Sequence, residues 1–169
     1  MMSEKTNDGF YDYNRLGDLL FIFHKNHKTY LNNALAQYDL NLIQVLCMLR
    51  VYNEENLNQK DLSDSLYITK GAITKAIKKL ESNGIIIRQQ SKVDKRHNIL
   101  KLSQKGKDLI PILEEINNEW EEKMGLDKLD DEFFKTFIDL AFKSAELNDW
   151  EWINYFLFFV IIISNKLFF

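Results

Sequence analysis

With 169 residues, 46% of them hydrophobic and 28% charged, the chain has the make-up of one folded domain, or one domain with an appendage, and not of a disordered segment. The net charge of −3 hides a segregation: residues 68–106 hold ten Lys/Arg against two acids, a net +8, while residues 107–151 hold five Lys against fourteen acids, a net −9. A polyanion is drawn to the first stretch and repelled by the second. The single cysteine, Cys47, excludes an intrachain disulfide, and the polar, acidic opening residues do not read as a secretory leader. Both point to a cytoplasmic protein.

One proline and six glycines predict a mostly helical chain. Met1 to Gly9 reads as a loose arm. Leu16, Leu19, Leu20, Phe23, Tyr30, Leu31 and Leu35 recur at helical spacing and predict one long helix from about Tyr11 to Gln37. Its front carries Phe10, Tyr11, Tyr13, Phe21 and Phe23, more aromatics than one buried stripe needs, which points to a second contact surface. Asn41 is a fitting cap for a second helix, Leu42 to Tyr52, with Ile43, Leu46, Cys47 and Leu49 inward. Asn58 then caps a short third helix, Gln59 to Ser65; Asp61 suits its first turn, and Leu57, Leu62 and Leu66 face inward.

Only about three residues later Thr69 caps a fourth helix. In it Ile73, Ile77 and Leu80 fall at i, i+4 and i+7 and make one narrow apolar stripe. Lys70, Thr74, Lys75, Lys78 and Lys79 occupy the other faces, with no acid before Glu81. Taken alone, such a face is ordinarily a solvated surface. Two short helices joined by so tight a turn, the second cationic, form a helix-turn-helix pattern. Asn83-Gly84 ends the helix and reverses the chain. Ile85 to Gln89 is a short β-branched strand, Ser91 to His97 a basic tip, and Asn98 to Leu102 a returning strand, which together make a wing.

Ser103 caps the next helix, about Gln104 to Met124, in which Pro111 should introduce a bend or leave one carbonyl unpaired. Gly125 ends it. The acids Asp130, Asp131 and Glu132 open a last helix carrying Phe133, Phe134, Phe137, Ile138, Ala141 and Phe142. The tail, Trp150 to Phe169, contains a nine-residue apolar run from Tyr155 to Ile163. As a helix that run is about 14 Å long against about 30 Å of hydrocarbon, too short to span a membrane. It is expected to extend the last helix onto an interface. The fold class is therefore mainly α with a small β-wing (α+β).

Three segments resemble the MarR family of winged helix-turn-helix transcription regulators. Asp94-Lys95-Arg96 followed by Leu102-Ser103-Gln104-Lys105-Gly106 resembles the family's D-x-R and L-T-x-x-G at the same spacing. Leu80-Glu81-Ser82-Asn83-Gly84-Ile85-Ile86-Ile87-Arg88 resembles L-E-x-x-G-[LI]-[IV]-x-R, and Leu42 to Leu46 resembles the start of the family's second helix. Ser91-Lys92 departs from the Asp-Pro of many members. The resemblance covers about Tyr11 to Leu147, and nothing in the pattern corresponds to the chain beyond Asp149. It implies a homodimer whose long terminal helices interlock, with one recognition helix per subunit in a major groove of double-stranded DNA and each wing along the adjacent minor groove. On that basis residues 1–37 form an arm and first dimerisation helix, 38–102 the DNA-binding lobe, 103–149 the C-terminal dimerisation helices, and 150–169 an apolar extension.

The DNA-binding residues expected are Thr69, Lys70, Thr74, Lys75 and Lys78 on the recognition helix and Lys92, Asp94, Lys95 and Arg96 on the wing. Lys70, Thr74 and Lys75 stand at the front of the helix, where base edges and flanking phosphates come within reach. Arg96 has the planar guanidinium that suits a narrow, negative minor groove, and Asp94 orients it by a salt bridge. His24 and His27 stand at i and i+3, but no further ligand completes a metal site, so no metal and no cofactor are expected. Cys47 lies in an apolar run and reads as a buried, inert thiol. No catalytic constellation is present. By family analogy a small aromatic or phenolic ligand would meet Phe23, Tyr30, Tyr38 and Trp120, though any one of these reads more readily as core or interface. The function expected is a ligand-responsive repressor bound to a palindromic operator. The competing readings are a winged-helix module turned to protein–protein interaction, disfavoured because the wing keeps Asp94 and Arg96, and a membrane-associated sensor using the tail.

Overall fold

The computed structural model describes Asp12, residues 14–90 and residues 98–147. It is mainly α-helical with one two-stranded antiparallel sheet, the class the sequence predicts. The chain divides between Leu42 and Ile43 into two units.

In the N-terminal unit, α1 runs Leu16–Leu35, beginning later than the predicted Tyr11, which lies outside the described residues. A turn precedes it. The Asn14 N–H donates to Asp12 Oδ1, and the Asp12 N–H donates to Asp18 Oδ2 in the first helical turn. Leu31 and Leu35 are buried, while Leu16, Leu19, Leu20, Phe21 and Phe23 are exposed. A 3-10 turn, Ala36–Tyr38, and a left-handed Asp39 (φ 55°) end the segment. The first backbone N–H of the next helix, at Leu42, donates to Asn32 Oδ1.

α2 spans Leu42–Asn53, all but its first residue in the C-terminal unit. The sequence places Ile43, Leu46, Cys47 and Leu49 inward. Of these only Cys47 is fully buried. The others are half-buried, and the enclosed residues are Gln44, Val45, Cys47, Met48, Arg50 and Val51. These span two adjacent helix faces, so α2 is a central helix covered more broadly than one amphipathic stripe allows. Arg50, buried here, pairs with Glu54 one turn on, as a buried charge requires.

α3 (Gln59–Leu66) opens with a reciprocal capping box. Asn58 Oδ1 accepts from the Lys60 and Asp61 N–H groups, and Asp61 Oδ2 accepts from the Asn58 N–H. Leu57 and Leu62 are buried, whereas Leu66, expected inward, is half-buried. α4 follows at Lys70–Ser82, then β1 (Ile86–Gln90) and β2 (Asn98–Leu102), paired Ile86 to Leu102 through Gln90 to Asn98. β1 starts one residue later than expected because Ile85 belongs to the helix end. Its N–H donates to Leu80 O, and Gly84 (φ 67°) donates to Glu81 O, a Schellman-type closure.

α5 runs Gln104–Met124 and buries Ile110, Leu113, Ile116 and Trp120 along one stripe. It continues through Pro111. The carbonyl that loses its partner is that of Lys107, on an exposed turn where water can take it. Gly125 (φ 70°) ends α5, a short 3-10 turn follows, and α6 spans Asp131–Glu146 with the Phe133 N–H donating to Asp130 Oδ1. α6 has no fully buried residue among those described; Phe133, Phe137 and Leu140 are exposed, and the rings of Phe133 and Phe137 stack 6.0 Å apart. Among the described residues no helix is long and apolar enough to cross a membrane. The tail from residue 150 to 169, and with it the expected extension of the last helix, lies outside them.

Candidate nucleic-acid interface

α4 is built as its sequence demands. Thr69 Oγ1 accepts the Ala72 N–H at 3.3 Å, satisfying one orphan donor of the first turn. Ile73, Ile77 and Leu80 are wholly buried, with Ala76 beside them. That anchored edge turns Lys70, Lys75, Lys78 and Lys79 outward, all exposed. Lys70, Thr74 and Lys78 align at i, i+4 and i+8, and Lys75 and Lys79 lie alongside. Thr74 is half-buried, and its hydroxyl is committed within the lobe: it donates to Lys70 O at 2.7 Å and accepts from Gln59 Nε2.

The turn into α4 is made by Tyr67, at φ 51°, and tied by Ser63 Oγ donating to Ile68 O. A non-glycine residue in the left-handed region is held there by its surroundings. The far end of α4 is held by the start of α5. Ser103 Oγ donates to Gly84 O at 2.6 Å and accepts from the Gly106 N–H at 3.1 Å, so one hydroxyl closes α4 and opens α5. Lys105 Nζ donates to Asn83 O, placing a cation at the negative end of α4, and the Ser103 N–H donates to Ile85 O.

The wing stands beside α4. The Leu100 N–H donates to Leu57 O at 2.8 Å, which ties β2 to the residue before α3's cap. Lys92, Asp94, Lys95 and Arg96, the wing residues predicted to meet DNA, lie outside the described residues. Sequence reasoning overlooked Gln59, Glu81 and Arg88. Arg88 Nε donates to Glu81 Oε1 at 2.6 Å, and its Nη2 donates to Glu81 Oε2 at 3.2 Å and to Gln59 Oε1 at 3.1 Å. The Glu and Arg of the L-E-x-x-G-x-x-x-R segment were the available signal. Glu81 ends a helix and Arg88 lies on the strand beyond the chain reversal at Gly84, so neither helical nor strand periodicity could join them.

Of the aromatics assigned to a ligand, Phe23 is exposed and Tyr30 and Tyr38 are half-buried in the N-terminal unit, while Trp120 is buried on α5. Among the described residues no group of three or more His, Cys, Asp or Glu is placed to hold a metal. His27 is held below the ordinary histidine range, chiefly by burial and further by His24. Cys47 is fully buried, and burial pushes its thiol up to about 12 from an ordinary value of 9.0. Native protein at pH 8 is therefore expected to resist iodoacetamide at Cys47, while protein in urea is alkylated readily, as mass spectrometry would show. Equal rates would contradict the burial. Because the folded value lies above the unfolded one, this thiol leaves stability unchanged below about pH 9 and lowers it as pH rises from there toward 12.

A capped helix pair with a cationic second member, followed by an antiparallel ribbon, defines the winged helix-turn-helix class. The comparisons with known proteins narrow this. The model of the MarR family matches residues 40–97, which hold α2, α3, α4 and the first strand of the wing. Residues 40–97 thus resemble the DNA-binding region of the MarR family of winged helix-turn-helix transcriptional regulators. Over 102 residues it is 29% identical to the HTH-type transcriptional regulator SarZ of Staphylococcus aureus (strain USA300), covering 59% of this chain and 69% of that one. Its fold is similar to that of a MarR transcriptional regulator from Methanosarcina mazei Go1, with a TM-score of 0.68 and 28% identity over 79% of this chain and 98% of the other. An S. aureus MepR–DNA complex matches with a TM-score of 0.68 at 20% identity, over 78% and 96% of the two chains, which speaks for the fold alone.

Proposed function

We propose that this chain binds a palindromic DNA operator as a homodimer and represses transcription from it. The observation that carries this reading is α4: its apolar edge is sealed into the lobe, so Lys70, Lys75 and Lys78 are held outward beside a wing. At Gly71, exposed next to Lys70, an added Cβ would meet nothing within 4 Å. Packing within the chain does not call for glycine there, and glycine is what lets another molecule approach the backbone closely. The homodimer reading is supported by the exposed apolar residues of α1 and of α6, which a second copy would cover. In this reading Arg96 enters the minor groove, Thr69, Lys70, Thr74, Lys75 and Lys78 meet the major groove and its phosphates, and Lys92 and Lys95 meet phosphates beside the wing. A small aromatic or phenolic ligand touching Phe23, Tyr30, Tyr38 or Trp120 would release the operator by favouring a lobe spacing that does not fit the duplex.

Selection of bound duplexes from a random pool tests the reading. The expected outcome is a palindrome with half-sites about one helical turn apart, bound more weakly by Arg96→Ala. If no duplex is enriched, or if the enriched sites lack two-fold symmetry, the reading fails and the protein-interaction alternative takes its place.

A further inference from the structure

Side chains other than the exposed lysines join the recognition helix to the wing. By register, Arg88 of β1 lies on the same side of the ribbon as Ile86, Leu100 and Leu102, all of which are buried. From that inner side its guanidinium forks onto Glu81 of α4 and reaches Gln59 at the first position of α3. Gln59 in turn donates through Nε2 to Thr74 Oγ1, on the recognition helix. One continuous run of hydrogen bonds thus passes from Glu81 through Arg88 and Gln59 to Thr74. The ribbon is pinned twice and independently, β2 at Leu57 O and β1 at Glu81 and Gln59.

We propose that Arg88 is a positioning residue for operator binding. With Glu81 and Gln59 it sets the spacing and angle between α4 and the wing, and it holds Thr74 in the orientation that meets the groove. This rests on the operator-binding reading above. A helix in one groove and a ribbon along the next must arrive together, so any freedom between them is lost from specific binding and not from non-specific attraction. A planar fork can hold two partners at fixed angles, whereas a lysine ammonium is a point charge. The charge of Arg88 is also already met by Glu81 at bonding distance, so the pair is neutral and adds nothing to counterion release.

The test compares the full-length wild type, Arg88→Gln, Arg88→Lys and the double charge swap Glu81→Arg/Arg88→Glu. Each is titrated with the selected operator and with a scrambled duplex over a salt series. Arg88→Gln is expected to lose about tenfold or more in the operator-to-scrambled affinity ratio, the scale of one lost base-pair contact. Its affinity for the scrambled duplex and its salt slope stay those of the wild type. Arg88→Lys falls between the two, and the charge swap recovers at least part of the ratio. A salt slope flattened by about one per site would make Arg88 a phosphate contact and overturn the proposal. Parallel losses on both duplexes would overturn it too, by reducing Arg88 to a structural residue. If Arg88→Gln does not fold, Gln59→Ala and the charge swap carry the same comparison, with a lowered ratio expected for Gln59→Ala. A wild type that prefers no duplex removes the operator reading and the proposal together. A wild type and an Arg88→Gln variant that prefer the operator equally remove the proposal alone.

Discussion

Replacing Gly106 with alanine is expected to destabilise the C-terminal unit by about 2–4 kcal/mol, from overpacking together with a strained backbone hydrogen bond. On helix propensity alone the change should help, by about 1 kcal/mol. The tertiary structure reverses the sign. A Cβ on Gly106 would stand 2.4 Å from the carbonyl oxygen of Ile85, with Leu102 Cδ2 at 3.2 Å and Ile85 Cγ2 at 3.3 Å. The nearest of these is backbone and cannot swing aside as a side-chain tip would. The same Ile85 carbonyl accepts the Ser103 N–H, and Ile85's own N–H closes α4. Backing α5 away would therefore loosen the end of the recognition helix and the root of the wing in one step. Urea unfolding of wild type and variant measures this through the shift in midpoint at constant slope. A Gly106→Ala midpoint at or above that of the wild type would show that α5 does not approach Ile85 so closely.

Removing two lysines from α4 should act on binding without touching the fold. In the Lys75→Ala/Lys78→Ala variant both side chains are exposed and the buried edge of α4 is untouched, so its unfolding midpoint should match the wild type. Affinity should fall for operator and scrambled duplex alike. The slope of log affinity against log salt should flatten by about one per lysine in each subunit, about four for a dimer. Together with Arg88→Gln this makes a contrasting pair: charge removal flattens the salt slope and spares the specificity ratio, while loss of the clamp does the reverse. An unchanged slope would return the lysine face to the status of ordinary solvated surface.

Local chemistry in the chain was enough to place nearly every element. Asn58, Thr69, Ser103 and Gly125 mark helix ends because capping is decided within about four residues. The i, i+4, i+7 spacing of Ile73, Ile77 and Leu80 likewise selects the buried edge of α4 and, by exclusion, its lysine face. The helix-turn-helix and the wing strands were legible for that reason. What remained hidden depends on contacts between segments far apart in the chain. Ile43, Leu46 and Leu49 do not form the inner face of α2, because a central helix is covered from more than one direction and its single-stripe pattern loses meaning. The requirement for glycine at position 106 comes from a carbonyl 21 residues earlier. The commitment of Thr74's hydroxyl comes from Gln59 and the clamp from Glu81 and Arg88, side chains that only the packing of α3, α4 and β1 brings together.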